Sequence, residues 1–167
     1  AGSNDYVYRL KIHTGPHIDF VSPAVGVAGT KAKYTIYGRN LPGGQPAEMS
    51  SDGRQLQKLD VQIALPNTVG KLDSGMPVFA AQSGLDGAPY SLKSANGTSN
   101  AITIAFAPRA AILEREPNND PAKSQAIVVP TELTGQFQAR GDLDHYQFEA
   151  KAGAIYWIEV FADRLGR

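Results

Sequence analysis

The chain has 167 residues, of which 42% are hydrophobic and 19% are charged. This composition is typical of one or two small globular domains, and it excludes a disordered or collagen-like chain. Sixteen basic and sixteen acidic residues give a formal net charge of zero, so neither nucleic acid nor an anionic membrane is expected as a partner. Because no apolar run approaches the roughly 20 residues of a membrane helix, no membrane insertion is predicted.

The sequence offers few residues for catalysis. It contains no cysteine, which excludes a thiol nucleophile, a disulfide framework and zinc sites with cysteine ligands. Its histidines number only three, and no nucleophile elbow of the G-x-S-x-G type is present. We therefore predict that the chain is not an enzyme.

Short runs of β-branched and aromatic residues recur along the chain, and each is bounded by Gly, Pro, Asn or Asp. Many short strands joined by such turns, without a helical repeat, predict an all-β fold of the β-sandwich kind. The clearest predicted strands are Tyr6–Ile12, Lys33–Tyr37, Leu59–Leu65, Ala101–Phe106, Gly135–Gln138, His145–Glu149 and Ile155–Phe161.

The predicted strand Ile155–Phe161 has apolar side chains on both of its faces. A strand of this kind is typical of the middle of a sheet, where both faces are covered. Its single tryptophan, Trp157, is therefore expected in a core rather than on a ligand-binding platform.

The polar stretch from Pro108 to Pro121 predicts the main domain boundary, because its prolines and clustered carboxylates disfavour both strand and helix. A weaker boundary is predicted at Thr14–Pro16. The expected domains are residues 1–13 as the last strand of a preceding module, residues 14–110 as one β-sandwich, and residues 111–167 as part of a second.

The segment from Pro16 to Leu41, which begins PHIDFVSPAVGVAGT and ends YGRNL, resembles an IPT/TIG domain. This resemblance implies an immunoglobulin-like β-sandwich over residues 14–110. Within it, Gly29 is expected to take a positive φ at a turn, and Gly38 is expected to permit a β-bulge.

The second half carries the motifs EREPNND, from Glu114 to Asp120, and GDLDHYQF, from Gly141 to Phe148. Their order and spacing are similar to the start of a bacterial pre-peptidase C-terminal (PPC) domain. The resemblance implies a larger planctomycete-type multidomain protein that is secreted or on the cell surface, with a periplasmic location as the alternative. Because a PPC domain has further strands, residues 111–167 are expected to be its N-terminal part, and self-association through this part is an expected possibility.

The acidic stretch after the boundary is the one constellation with metal-ligand character. Carboxylate and amide oxygens on irregular backbone suit Ca²⁺, and the linker acids of collagenase PPC domains, which these residues resemble, ligate calcium. The simpler alternative, which the residue types favour, is a structural turn held by Asx hydrogen bonds. The candidate ligands are Glu114, Glu116, Asn118, Asn119, Asp120, Asp142 and Asp144.

The sequence thus predicts a non-catalytic accessory or spacer region of a larger protein, with the other domains of that protein as partners. Calcium at the acidic stretch would stiffen the interdomain linker. The alternative is a targeting module that binds polysaccharide or a protein polymer through exposed aromatic residues such as Tyr37 or Tyr90.

Overall fold

The computed structural model describes residues 7, 10, 12–68, 84–138 and 141–162. Over these residues the regular structure is almost entirely strand, which confirms the predicted all-β class. The described part of the chain holds no helix long and apolar enough to cross a membrane. The strands are β1 His17–Ser22, β2 Val25–Gly26, β3 Lys31–Arg39, β4 Gln45–Ser51, β5 Arg54–Ala64, β6 Gly87–Tyr90, β7 Lys93–Ser94, β8 Gly97–Thr98, β9 Ile102–Phe106, β10 Ala111–Leu113, β11 Gln125–Ala126, β12 Glu132–Thr134 and β13 Tyr146–Gln147.

Strands β1 to β9 form two facing sheets and a short β7–β8 hairpin, which we call the sandwich. The larger sheet is antiparallel throughout and has the order β1-β3-β5-β4. The smaller sheet has the order β2-β9-β6, in which β2 is parallel and β6 antiparallel to β9. The predicted strand Lys33–Tyr37 lies within β3, Leu59–Leu65 overlaps the second half of β5, and Ala101–Phe106 matches β9 to within one residue.

The core of the sandwich lies between these two sheets. The larger sheet contributes Ile18, Tyr34 and Ile36, which are at most 2% exposed, and the smaller sheet contributes Ala88 and Ile104. In β3 the buried side chains alternate along the strand, as expected for a strand with one face on a core. In β1 the bulge interrupts this alternation, and the consecutive residues Ile18 and Asp19 are both buried.

Two glycines behave as the sequence predicts. Gly29 has a φ of 73° in the turn before β3, a region that favours glycine. Gly38 lies opposite the bulge in β1, where the register shifts between Ile18 and Phe20. A side chain at Gly38 would collide with the carbonyl oxygen of His17, so only glycine fits there.

Residues 111–162, which we call the C-terminal region, are organised by polar contacts. Two short parallel pairs, β10 with β12 and β11 with β13, supply its regular structure. The buried Gln125 accepts a hydrogen bond from the Arg115 amide at 2.8 Å and donates one to the Leu113 carbonyl at 3.1 Å. The backbone amide of Gln125 donates to the His145 carbonyl at 2.9 Å. This one glutamine therefore connects β11 with the end of β10 and with the residue before β13.

The prediction of a strand at Gly135–Gln138 is wrong, because the strand in this part of the chain is β12, Glu132–Thr134, which ends before Gly135. The physical reason is that the Gln136 amide donates to the Glu114 carboxylate instead of a neighbouring strand. The predicted strand His145–Glu149 is reduced to Tyr146–Gln147.

The predicted strand Ile155–Phe161 is also wrong, and Trp157 is 89% exposed rather than in a core. Among the described residues, every buried apolar side chain lies between Pro16 and Ala107, so the C-terminal region offers this segment no apolar core to join. Most of the predicted strand Tyr6–Ile12 falls outside the described residues.

Candidate metal centre

Three carboxylates from two distant parts of the chain meet in the C-terminal region. Glu114 and Glu116 follow strand β10, and Asp144 precedes strand β13. One carboxylate oxygen from each lies within 4.8 Å of the others. We call these three residues the acidic cluster, and carboxylate groups at such spacing could hold a metal ion.

Glu114 is the best-anchored member of the acidic cluster. Its Oε1 accepts hydrogen bonds from the Tyr146 hydroxyl at 2.7 Å and from Asn118 Nδ2 at 3.0 Å. Its Oε2 accepts from the Gln136 amide at 2.7 Å. Since a carboxylate has about four acceptor sites, these three bonds orient Glu114 and leave it capacity for one further partner.

Asn118 is completely buried beside the cluster. Its backbone amide donates to Glu116 Oε2 at 2.8 Å, and its backbone carbonyl accepts from the His145 backbone amide at 3.1 Å. Its side-chain Oδ1 is buried and has no hydrogen-bond partner, and the same is true of Asp144 Oδ1. Buried acceptors without a partner are uncommon in folded proteins, and Asp144 belongs to the group of carboxylates that could hold a cation.

The acidic cluster concentrates negative charge that the described residues do not neutralise. The ion pairs found among them involve Lys33 and Arg39 in the sandwich, and none reaches these carboxylates. Burial raises the pKa of Asp144 to about 6, with Glu114 as the next contributor. Burial also acts to raise the pKa of Glu114, but the hydrogen bonds from Gln136, Tyr146 and Asn118 outweigh it and hold that pKa below its usual value.

Proximity and charge therefore favour an ionised Glu114 and let Asp144 take up a proton as the pH falls to about 6. Two adjacent carboxylates cannot both ionise cheaply unless a proton or a cation compensates the charge. The donor set consists of hard oxygens, which suits Ca²⁺ or Mg²⁺ better than zinc or copper.

Sequence reasoning missed two residues that shape this site. The sequence predicts only that Tyr146 lies in a strand, yet the Tyr146 hydroxyl anchors Glu114 by a hydrogen bond. Burial, followed by the hydrogen bond to Glu114, raises the pKa of Tyr146, so its hydroxyl keeps its proton and remains a donor. Gly135 lies against the Glu114 carboxylate. The position of Tyr146 two residues after Asp144 in the GDLDHYQF motif was the available signal.

Replacing Gly135 with alanine is expected to displace Glu114. The added Cβ would lie 2.7 Å from Glu114 Oε2 and 2.9 Å from its Cδ, closer than carbon atoms normally approach. We expect the affinity of the acidic cluster for a metal ion to fall roughly tenfold, since a change in ligand orientation typically costs that much. Calorimetric titration of the Gly135→Ala variant measures this loss. A Gly84→Ala variant is the control for adding a methyl group, because Gly84 has open space around it and its φ is not positive; equal losses in both variants would contradict the proposed contact.

Of the other predicted ligands, Asn118 contacts the acidic cluster through its hydrogen bonds to Glu114 and Glu116, whereas Asn119, Asp120 and Asp142 are not part of the cluster. Asp120 caps the short 3-10 turn Pro121–Lys123 by accepting from the Ala122 amide at 2.9 Å, and Asn119 beside it is exposed. Asp142 Oδ2 accepts from the Gln138 amide at 2.6 Å. Asp120 makes the local Asx bond that the alternative, structural interpretation of the acidic stretch predicts, whereas the bond of Asp142 reaches back four residues.

The acidic cluster adjoins a cleft of about 160 Å³ between the C-terminal region and the sandwich. Glu114 and Glu116 line this cleft from one side, and Ser22 of β1 lines it from the sandwich. Near the cleft, the Ala24 amide donates to Thr134 Oγ1 at 3.4 Å, and the Glu114 amide donates to the Thr134 carbonyl at 2.9 Å. A short chain of contacts thus leads from the sandwich to the cluster.

Comparison of the chain with protein-family models, with curated proteins and with solved structures gives no match. The resemblances to IPT/TIG and PPC domains therefore stay predictions that rest on the quoted motifs. Fold and site together define an all-β chain that combines a two-sheet sandwich with an acidic cluster capable of holding a metal ion.

Proposed function

We propose that this chain is a non-catalytic accessory or spacer region of a secreted or cell-surface bacterial multidomain protein, stiffened by calcium at the acidic cluster. One observation carries the proposal: three carboxylates converge within 4.8 Å beside a buried asparagine whose Oδ1 has no partner. Calcium accepts six to eight oxygen ligands in flexible geometry, so carboxylates on irregular backbone suit it better than they suit Mg²⁺.

The position of the cluster supports a stiffening role. Glu114 and Glu116 belong to the segment that leaves the sandwich, whereas Asp144 lies some thirty residues later. A cation bound to all three would join the start of the C-terminal region to the approach of β13. Through the Thr134 contacts, the same cation would restrain how this region meets the sandwich at Ala24.

Titration of Ca²⁺ into chelator-treated protein tests the proposal by calorimetry. We expect one saturable site, bound more tightly than Mg²⁺ because the larger ion tolerates the irregular geometry. The isosteric variants Glu116→Gln and Asp144→Asn each remove one ligand charge and should weaken binding roughly tenfold or more, since calcium affinity depends on the number of charged ligands.

Asp120→Asn is the matched control for the titration. Asp120 lies in the same acidic stretch and is exposed, but it caps a turn outside the cluster, so this variant should bind calcium like the unmodified chain. If no heat is measured at millimolar calcium, or if Asp120→Asn weakens binding as much as Asp144→Asn does, the cluster is not a calcium site.

The alternative, a module that targets a polysaccharide or a protein polymer, has weaker support at the residues first named for it. One face of the Tyr37 ring is covered by Phe20, with ring centroids 4.5 Å apart and planes at 13°. Tyr90 packs against the core of the sandwich. Polymer pull-down of the unmodified chain distinguishes the two functions, because a spacer predicts no saturable binding.

A further inference from the structure

The tip of the β7–β8 hairpin carries the only asparagine of the chain that is followed by glycine. Strand β7, Lys93–Ser94, pairs with β8, Gly97–Thr98, and Asn96 lies in the short loop between them. Asn96 and Gly97 are both exposed. Gly97 has a φ of 112°, and a Cβ at this position would meet nothing within 4 Å. The asparagine–glycine pair is therefore open to water at this tip.

An asparagine that precedes glycine can react with its own backbone. The nitrogen of the glycine attacks the side-chain Cγ of the asparagine, which closes a five-membered succinimide ring. The bond from Cγ to the side-chain nitrogen breaks, and that nitrogen leaves as ammonia together with the proton of the glycine amide. Water then opens the ring at either of its two carbonyl carbons, which gives aspartate or isoaspartate. Glycine favours the attack because it has no Cβ in the way and adopts more backbone conformations than other residues.

Few contacts hold the hairpin tip in its folded geometry. Ser94 Oγ accepts a hydrogen bond from the Asn96 amide at 3.1 Å and donates one to the Gly97 carbonyl at 2.9 Å. Below the tip, the Ser99 amide donates to the Leu92 carbonyl at 2.9 Å, and Ser99 is buried. Because a hairpin with two residues in each strand is marginally stable by itself, its tip opens locally while the sandwich stays folded. Opening gives Asn96 the backbone freedom that ring closure needs.

We propose that Asn96 is a self-modification site, at which opening of the hairpin tip lets the Gly97 nitrogen attack Asn96 Cγ and water completes the conversion to aspartate or isoaspartate. The reaction needs no co-reactant other than water. It adds one negative charge to a chain whose formal net charge is zero.

The modification also alters the backbone next to the start of β1. Isoaspartate routes the main chain through the side-chain carbon, so the loop lengthens and the pairing of Ser94 with Gly97 loses its register. The Asn96 carbonyl oxygen lies close to Gly15, since a Cβ at Gly15 would be 3.0 Å from it. A lengthened loop therefore changes the contact between the hairpin tip and the segment that leads into β1.

Incubation of the folded chain in mildly alkaline buffer, followed by proteolysis and mass spectrometry, tests the proposal. We expect Asn96 to convert at least about tenfold faster than Asn67 and Asn119, because these precede Thr68 and Asp120, whose Cβ atoms hinder the attack. Asn67 and Asn119 are exposed as well, so they are controls within the same molecule. Labelling by an isoaspartate-specific methyltransferase then separates the two products, which have the same mass.

Two variants examine the ring closure and the opening step. Asn96→Gln lengthens the side chain by one carbon and moves its carbonyl out of reach of a five-membered ring, so conversion should fall at least about tenfold. Ser94→Ala removes both hydroxyl hydrogen bonds at the tip and should speed conversion by about threefold or more, because the tip opens more often. Ser50→Ala is the matched control, since Ser50 is an exposed serine of β4.

The proposal is overturned if Asn96 converts no faster than Asn67 and Asn119, or if Asn96→Gln converts as fast as the unmodified chain. Equal rates in Ser94→Ala and Ser50→Ala would also overturn it, because the opening step would then have no part in the reaction. Circular dichroism shows whether each variant retains its strands. The unmodified chain in urea gives an independent measure of the same step, because Asn96 must convert faster there than in the folded chain.

Discussion

Replacing Ile104 with alanine is expected to lower the free energy of unfolding of the sandwich by about 2–5 kcal/mol. Ile104 lies in the central strand β9 of the smaller sheet and is 0% exposed, packed with the core residues of the larger sheet. Removing three carbons there leaves a cavity that two opposed sheets cannot readily close. Because small domains are stable by only about 5–15 kcal/mol, this single change would consume much of the total.

Urea denaturation followed by circular dichroism measures the effect. Ile12→Ala removes the same atoms from a side chain that is 86% exposed, and its free energy of unfolding should change by less than about 0.5 kcal/mol. Calcium affinity of Ile104→Ala, measured well below its transition, should equal that of the unmodified chain because all three carboxylates belong to residues 114–144. A loss below about 1 kcal/mol would contradict the two-sheet core.

The sandwich strands that can be predicted from the sequence are those with apolar and β-branched side chains that pack in the core. Strands β3 and β9 hold the buried Tyr34, Ile36 and Ile104, and their apolar and β-branched residues mark them. Strand β4, Gln45–Ser51, was not predicted because it is polar and contains Pro46. It lies at the edge of its sheet and is held by backbone pairing with β5, which depends little on side-chain type.

The C-terminal region was harder to predict because polar contacts, not apolar burial, organise it. The pattern at Ile155–Phe161 indicates a buried strand, yet burial depends on what else is present to cover it, and a local pattern does not contain that information. Residue chemistry did identify the acidic stretch as the candidate metal centre. Only the fold separates Glu114, Glu116 and Asp144, which meet, from Asp120, which caps a turn.

Asp144→Asn is expected to stabilise the calcium-free chain at neutral pH and to remove a specific pH dependence. The pKa of Asp144 is raised from 3.8 to about 6 by burial and by the neighbouring Glu114. Below the lower value the carboxyl is protonated in both states, and its full contribution to stability is present. As the pH rises through the folded-state pKa, that contribution is lost because the folded state holds a proton that the unfolded chain has released.

The lowered pKa of Glu114 changes the stability in the opposite direction, and it does so at lower pH. Its contribution is present above the unfolded value of 4.5 and is lost as the pH falls below it. Between about pH 4.5 and 6.5 Asp144 therefore dominates. The full shift would cost the calcium-free chain roughly 1.8 kcal/mol of stability across this range, and solvent screening of a partly exposed carboxyl reduces the expected loss to about 1 kcal/mol.

Denaturation of chelator-treated protein over this pH range measures the effect, with Asp120→Asn as the control that should keep the dependence. The Asp144→Asn variant should show a flatter profile and a higher stability at pH above about 6.5. The proposed calcium site predicts the reverse relation once calcium is added. At 100 times its dissociation constant, calcium should add about 2.7 kcal/mol to the stability of the unmodified chain, and much less to that of Asp144→Asn. If Asp144→Asn destabilises the calcium-free chain at neutral pH, the Asp144 carboxylate stabilises the fold by itself, and the charge repulsion inferred for the acidic cluster is contradicted.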